Sequence, residues 1–426
     1  MARFDTDLVI AGGGLAGATL ALALVRVVPS LRVTVVEAFP LSTDALPDSY
    51  QPSYDARSTA LAWGSRLTFQ ELGLWQRLAE HATPIRHIHV SDRGRFGATR
   101  LNAKDFQQDA MGYVADNRWM GLCLVRELLD TNVQWQAPAS VTNMTPLSDG
   151  VSIELQTEGG LSTITAQCLV VADGGRSGLR ETLGFQSRSH NYGQSALIAN
   201  VTTSNSHEFT AYERFTTDGP MALLPQGSAD CAGDQSALVW TLTDRLAKEV
   251  LGLSADDKRA RLQEKFGWRL GQFTRIGECH HYPLVLTTVD EPVRPGVALV
   301  GNAAHSLHPV AGQGFNLALR GLMTLVEQFR LAVEQGKPLG SLQVLGRYHQ
   351  LHNPDRQQTI QFSDSLIRIF GQSLAPLVAA RDAGLMGLDI LPPAKRWFAR
   401  KAMGIGGRRA VISRPGAGCV GPAKHE

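Results

Sequence analysis

The stretch that most narrows the fold of this 426-residue chain is DLVIAGGGLAGATLALAL, Asp7 to Leu24. An apolar run of strand length ends in Gly12, Gly14 and Gly17 at GxGxxG spacing, and an Ala/Leu-rich helix follows. A second strand, LRVTVVEA, closes on Glu37. Gly12 permits the tight turn, Gly14 lets backbone approach a pyrophosphate, and Gly17 lets the helix pack close to the strand. The helix start offers free N–H groups and the positive end of the macrodipole to an anion. Glu37 stands twenty residues after Gly17, where an acid accepts from ribose hydroxyls and repels a 2′-phosphate. The unit therefore reads as a site for FAD or NAD rather than NADP, against the plainer reading of a glycine turn in an empty α/β unit.

The same stretch superficially resembles a signal peptide. Asp5 and Asp7 precede it, however, and neither a basic n-region nor a cleavage site frames it. No other run approaches ~20 apolar residues, so no membrane span is expected. The length suggests two or three domains. A net charge of +2 provides no field for nucleic acid, and none is expected as a partner. Cys123, Cys168, Cys231, Cys279 and Cys419 are odd in number and widely spaced, without a CxxC. That usage fits a reduced, cytoplasmic protein better than a disulfide framework or a zinc site, and no metal is expected.

Two later stretches repeat the theme of strand followed by glycine turn. Cys168 to Ala172 reads as a buried strand that runs into Asp173 and Gly174. An acid at the C-terminal end of a strand lies where α/β sheets bind ligands, unless Asp173 merely caps a helix expected near Ser177. Val297 to Val300 reads as another strand, Gly301 to Gly314 as a loop, and Phe315 onward as a helix. The loop's small, uncharged residues let a flat ligand approach the backbone, and the helix start faces whatever carries negative charge. An isoalloxazine ring suits both. Residues 185–267, by contrast, alternate with period two, as half-buried antiparallel strands do. Residues 84–97 are expected to add a strand pair. The cleft between the two textures is the default substrate site. GIGG at 404–407 follows a basic stretch rather than a strand and reads as a loop, so a single dinucleotide fold is expected.

GxGxxG with Glu37, then Asp173-Gly174, then GNAAHSLHPVAGQGFN resembles the class A flavoprotein monooxygenases over nearly the whole chain, and ERFTTDGPMALLP is similar to their ubiquinone-biosynthesis hydroxylase branch. The resemblance implies a mixed α/β fold: a Rossmann-like FAD-binding domain (1–83, 98–184, 268–361), an inserted antiparallel β-sheet substrate domain (185–267, with 84–97) and a C-terminal helical segment (362–426). It implies hydroxylation of a polyprenylated phenol through oxygen added at flavin C4a, with FAD as cofactor and O2 and NAD(P)H or another electron donor as co-substrates. Alternatives of the same fold are another ring hydroxylase of the pathway, a flavin reductase or oxidase, and a flavoprotein subunit without catalysis. Carried over residue by residue, the FAD contacts are Gly12, Gly14, Gly17, Glu37, Arg57, Arg126, Asp173, Gly174, Asn302, Pro309, Gly312, Gly314 and Asn316. Asn302 stands where the wider class has Asp, and its amide accepts without adding an anion near the diphosphate. Phe215, Met221, Leu223 and Leu224 are expected to line the substrate side. His305 and His308 read as loop-packing residues rather than a catalytic base, and none is assigned.

A long prenyl tail requires contact with a membrane or with a ubiquinone-biosynthesis protein complex. The candidate is Phe362 to Gly404, whose prolines at 376, 392 and 393 rule out a span. Ala394, Trp397, Phe398 and Ala402 recur at helical spacing beside Lys395, Arg396 and Arg400, the texture of an interfacial helix peripheral to the inner face of the cell membrane. A helix docked on the protein's own core is the competing reading. Oligomeric state is not legible.

Overall fold

Alternate residues of the strand Leu8–Ala11 belong to different cores. Leu8 and Ile10 pack with the helix Leu15–Val27, and Val9 and Ala11 pack on the opposite face. A strand buried on both sides is apolar nearly throughout, which is why its composition and that of Val33–Val36 and Cys168–Val171 lack polar alternation, Thr34 alone being polar. In this computed structural model, which describes residues 4–41, 57–95, 97–174, 178–307, 312–371, 384, 387 and 389–412, these strands form a six-stranded sheet. Its order is Val293–Arg294, Val297–Leu299, Cys168–Val171, Leu8–Ala11, Val33–Val36 and Gln134–Gln136. All neighbours run parallel except the antiparallel edge strand Val293–Arg294. The helices Leu15–Val27, Asn117–Leu129 and Gln313–Glu334 cover one face, and a three-stranded meander over 139–166 covers the other.

The second architecture is a nine-stranded sheet. It runs from His305–Ser306 through His280–Val289, Ser187–Thr203, Gln235–Thr243, Gly219–Gln226, Thr210–Thr216 and His87–Asp92 to Ala98–Asn102, with Phe273–Ile276 also paired to Ser187–Thr203. Only Thr210–Thr216 and His87–Asp92 pair in parallel. The strands thus reach beyond the stretches 84–97 and 185–267, into Ala98–Asn102 and Phe273–Val289. One face buries Leu197, Leu223, Leu238 and Trp240 under the helices Asp244–Leu251 and Ala255–Phe266. Side-chain oxygens of Thr243 and Ser254 accept from Leu246 N and Asp257 N and start those two helices.

The edge strand His305–Ser306 comes from the loop that leaves the parallel sheet, and it pairs with Thr287 and Thr288 of the large sheet. One segment therefore belongs to both sheets. The expected helix at Phe315 begins earlier, at Gln313, and the expected helix near Ser177 is the short turn Leu179–Thr182 with Gly178 as its N-cap.

The C-terminal helix Pro392–Ala402 opens on prolines, whose missing N–H groups cost nothing at a helix start. It docks through Ala399 and Met403, both fully buried, with Phe398 beside them. The glycines at 404–407 make a close crossing: Gly64 donates to Met403 O at 2.8 Å, and a Cβ at Gly64 would stand 2.5 Å from Gly404 O. Gly64→Ala should therefore push the C-terminal helix off its seat and cost roughly 1–3 kcal/mol, read as a lower midpoint in urea unfolding. An unchanged midpoint would show that this crossing does not hold the segment.

Candidate functional site

The glycine turn is built by contacts that only missing side chains allow. Gly12 sits at φ +103, and a Cβ there would lie 2.8 Å from Asp173 Cα. A Cβ on Gly17 would overlap the carbonyl oxygen of Gly12. These two approaches bring the start of Leu15–Val27 directly against the strand end. Gly14 differs: its φ is ordinary, and a Cβ there would meet nothing within 4 Å. Gly14 is also the N-cap, and no side chain caps the helix. The first-turn N–H groups thus point past a bare backbone into open space, the arrangement a diphosphate fills.

Around this turn the structure gathers most of the residues named from the sequence. Glu37 follows the second strand; its Oε2 accepts from Gly13 N at 2.6 Å and its Oε1 from Phe39 N at 3.0 Å. The remaining lone pairs are free for ribose hydroxyls. Asp173 and Gly174 follow the neighbouring strand, immediately beside Gly12. Asp173 does not cap the next helix, because Gly178 occupies that position. Gly301, at φ +56, places its α-carbon against Ala16 of the first helical turn, and the exposed Asn302 follows it. Gly312, at φ +61, is the N-cap of Gln313–Glu334 and packs on Ala60, and a Cβ at Gly314 would meet open space. Pro309 and His308 lie outside the described residues.

Three residues take other places. Asn316 is buried, and its amide is saturated by four bonds: it accepts from Ala62 N and Ser65 Oγ and donates to Ala60 O and Gly312 O, at 2.7–2.8 Å. It staples the strand Ser58–Ala62 to the helix start and has no atom left for a cofactor. Arg126 lies in the last turn of Asn117–Leu129, next to Glu127, which pairs with Arg26 near the end of the first helix. That end is about 18 Å from Gly14 at 1.5 Å per residue, so Arg126 does not reach the turn. Arg57 is exposed and donates to Tyr282 Oη at 2.9 Å, which ties the loop before Ser58–Ala62 to the large sheet.

The expected substrate wall divides by strand parity. Side chains alternate across a pleated strand, so Met221 and Leu223 cannot share a face with Leu224. Met221 and Leu223 are fully buried under the helices Asp244–Leu251 and Ala255–Phe266, on the far side of the sheet. Leu224 lies on the near face with Trp63, and Phe215, on that face too, packs against Val90. The near face is turned to the nucleotide-type turns, as Gln226 Nε2 donates to Ser58 Oγ at 2.9 Å and Tyr282 receives Arg57. Tyr282, Gln226 and Ala222 were not named from the sequence; counting parity from Leu224 would have found the last two.

His305 is buried, neither ring nitrogen has a hydrogen-bond partner among the described residues, and burial pushes it down to about 3. It stays neutral at working pH and packs about 6.1 Å from the ring of His352. That is the loop-packing role.

Residues 5–363 match a family described as FAD binding domain. The chain is similar to ubiquinone hydroxylase UbiL of Rhodospirillum rubrum, at 35% identity over 93% of this chain and 89% of that protein. It is also similar to 3-demethoxyubiquinol 3-hydroxylase of Escherichia coli, at 28% identity over 95% of this chain and 100% of that protein. In structure it resembles p-nitrophenol 4-monooxygenase PnpA of Pseudomonas putida with a TM-score of 0.75 and 19% identity, over 95% of this chain and 99% of that one, a likeness of fold.

Two substitutions separate cradle from staple. Gly14→Val should leave the urea midpoint of the FAD-free protein near that of the parent, since the new side chain enters open space, while abolishing FAD retention on gel filtration. Asn316→Ala should do the reverse: it strands buried donors and acceptors, costs on the order of 3 kcal/mol of stability, and leaves FAD affinity of the folded fraction nearly unchanged. Asn302→Asp falls between, weakening FAD by about tenfold or less.

Proposed function

The chain belongs to the FAD-binding family of flavoprotein monooxygenases, and from that premise we propose that it hydroxylates the aromatic ring of a polyprenylated phenol in ubiquinone biosynthesis. The step assigned is conversion of 2-polyprenyl-6-methoxyphenol to its benzoquinol, with O2 as oxidant and NAD(P)H or another electron donor as reductant. The observation that best supports this reading is the convergence of Gly12–Gly14, Asp173 and Asn302 on one uncapped helix start, facing the near side of a sheet.

The residues present fit FAD. The bare backbone at Gly14 and the free N–H groups behind it suit the diphosphate, Glu37 suits the adenosine ribose, and Asp173 and Asn302 suit hydroxyls of the chain between diphosphate and ring. When bound, FAD supplies reductive activation of O2 and transfer of one oxygen atom to the substrate ring. The chain's own residues position and shield. Asn316 holds the Gly312 turn in one conformation, His305–Ser306 ties that loop to the large sheet, and the apolar Ala222, Val239 and Leu224 present a surface from which a ring and prenyl tail displace water.

The tail also needs a route from lipid. Among the described residues no helix is long and apolar enough to cross a membrane. The helix Pro392–Ala402 docks by Ala399 and Met403, and of the stripe Ala394, Trp397, Phe398 and Ala402 it turns Phe398 toward that same cluster. Trp397 is instead 58% exposed and the preceding Ile390 70% exposed, beside Arg396 and Arg400. An outward tryptophan and isoleucine with basic neighbours suit an anionic membrane surface, and this face is the assigned membrane contact. Lys395 contributes less, being tied to Asp389.

Deleting the gene should cause 2-polyprenyl-6-methoxyphenol to accumulate in lipid extracts; accumulation of a different ring intermediate would move the enzyme to that step. In flotation assays, the purified yellow protein should bind anionic liposomes at low salt. Arg396→Gln with Trp397→Ala and Arg400→Gln should remove that binding while FAD content holds. Flotation unaffected by the triple change would acquit the segment.

A further inference from the structure

We propose that Glu213 is the group that takes the ring-hydroxyl proton of the phenol substrate, an inference that rests on the phenol hydroxylase reading above. Glu213 lies in the strand Thr210–Thr216, and its orientation follows from its neighbours. Tyr212 meets Phe266 edge-on at 5.7 Å, and the Arg214 guanidinium lies 6.0 Å from the same ring, so both point to the helical side of the sheet. Ala211 packs with Trp63 and Met111, and Phe215 with Val90, on the other side. Glu213 sits between Ala211 and Phe215 in the alternation and therefore faces the near side with them.

The register gives its surroundings. Across the sheet it stands level with Ala222 on one flank and Val90 on the other, and Ala222 leads on to Val239 and Ile198. Ala222, Val239, Ile198 and Glu213 are all only partly buried, so this row is an accessible apolar strip carrying one carboxyl group. Glu213 is four residues' worth of strand from the level of Gln226, which bonds Ser58, or about 13 Å at 3.3 Å per residue. The helix Leu342–Gly371 packs across the strand Gly219–Gln226 and encloses the strip from the other direction.

Among the described residues the other charged groups stand off this strip. Arg214 and Arg100 lie on the far face, where both act on His89. Arg93 pairs with Glu264 on the same far side. On the near face, His280 is level with Ile198, four strands away across the sheet, and Asp92 lies at the strand end level with Phe215. From the long helix, Asp364 is engaged by Tyr192. Among the described residues no hydrogen bond or ion pair engages the Glu213 carboxyl. Desolvation alone pushes it up to about 8. A partly buried acid with no structural partner, on the wall of the substrate cleft, stabilises nothing in the empty protein; its chemistry is matched to a ligand.

The ligand it matches is a neutral phenol. The O–H bond of the phenol breaks, its proton goes to a carboxylate oxygen of Glu213, and the electron pair stays on the phenolic oxygen. The resulting phenolate is the more electron-rich ring and the better acceptor of an electrophilic oxygen. A base near 8 is close enough to an ordinary phenol, about 10, to share the proton at working pH without being permanently ionised.

The test uses FAD-loaded enzyme and a short-chain 2-prenyl-6-methoxyphenol as probe. Ultraviolet difference spectra report phenolate formation on binding, before any turnover. The parent should show the phenolate band, and its single-turnover hydroxylation rate should rise with pH through an apparent value near 8. Glu213→Gln should bind FAD and probe, lose the band, flatten the pH profile and slow ring hydroxylation by about 10²–10³-fold, while reduction of FAD by its donor is unchanged. Glu213→Asp should recover part of the band. A Gln variant that still forms phenolate, or that loses rate only through weaker probe binding, overturns the proposal. A parent enzyme that binds no phenol at all overturns the functional reading instead, and the proposal with it.

Discussion

The close approach of Gly17 to the carbonyl of Gly12 is the constraint from which the rest of the site follows. No residue with a β-carbon fits at Gly17, so the helix begins within three residues of the strand end and its first N–H groups converge rather than splay. That places a region of positive potential at the C-terminal edge of the parallel sheet. Cys168–Val171 lies in parallel register beside Leu8–Ala11 and Val297–Leu299 beside Cys168–Val171, so their own exits, Asp173 and Gly301–Asn302, arrive at the same edge. A single steric permission thus organises three separate turns.

The large sheet is coupled to the nucleotide-type part by short polar connections beside the apolar cluster in which Trp63 and Met111 meet Ala211 and Leu224. His305–Ser306 pairs with the large sheet, Arg57 reaches Tyr282, Gln226 reaches Ser58, and Thr83 Oγ1 donates to Gly227 O at 2.8 Å. The three side-chain bonds run between residues 57–83 and the substrate wall or its margin. Asn316 stiffens the same region from behind, joining Ser58–Ala62 to the start of Gln313–Glu334. His305–Ser306 is thus held by a sheet edge and Gly312 by the helix start.

Polarity on the substrate wall is distributed by parity. The strand Thr210–Thr216 sends Tyr212 and Arg214 to the face that carries Phe266, where rings absorb the charge, and sends Ala211, Glu213 and Phe215 to the cleft. Lys265 and Asp218 close an ion pair at the margin of the same helical layer. Among the described residues of this face Glu213 stands among small and apolar neighbours, with Asp92 at the strand end, which is a condition for a carboxyl group that changes protonation on ligand binding rather than one that anchors the fold.

The parallel sheet, the glycine turn and Glu37 were legible in the sequence because each depends on local rules: a continuous apolar strand, glycines where a side chain cannot fit, an acid at a strand end. The strand pair near 84–97 and the antiparallel texture of 185–267 were legible for the same reason, through period two. Asp173 could be read from sequence as a ligand or as a cap; only the observed N-cap at Gly178 excludes the cap. Asn316 looked like a cofactor contact because it follows a glycine loop, yet its partners at Ala60, Ala62 and Ser65 lie more than 250 residues away and no local pattern announces them. Arg126 lies away from the glycine turn because helix direction relative to the first helix sets which end meets the turn. The row that joins Glu213, Ala222, Val239 and Ile198 draws on four strands, and the face it lines exists only once their register is set. The sequence alone determined which chemistry the chain carries, through residue types and short-range spacing. Tertiary structure alone decided which of those residues face the cleft and which are consumed in holding it, because long-range hydrogen bonds and strand register have no signature in neighbouring residues.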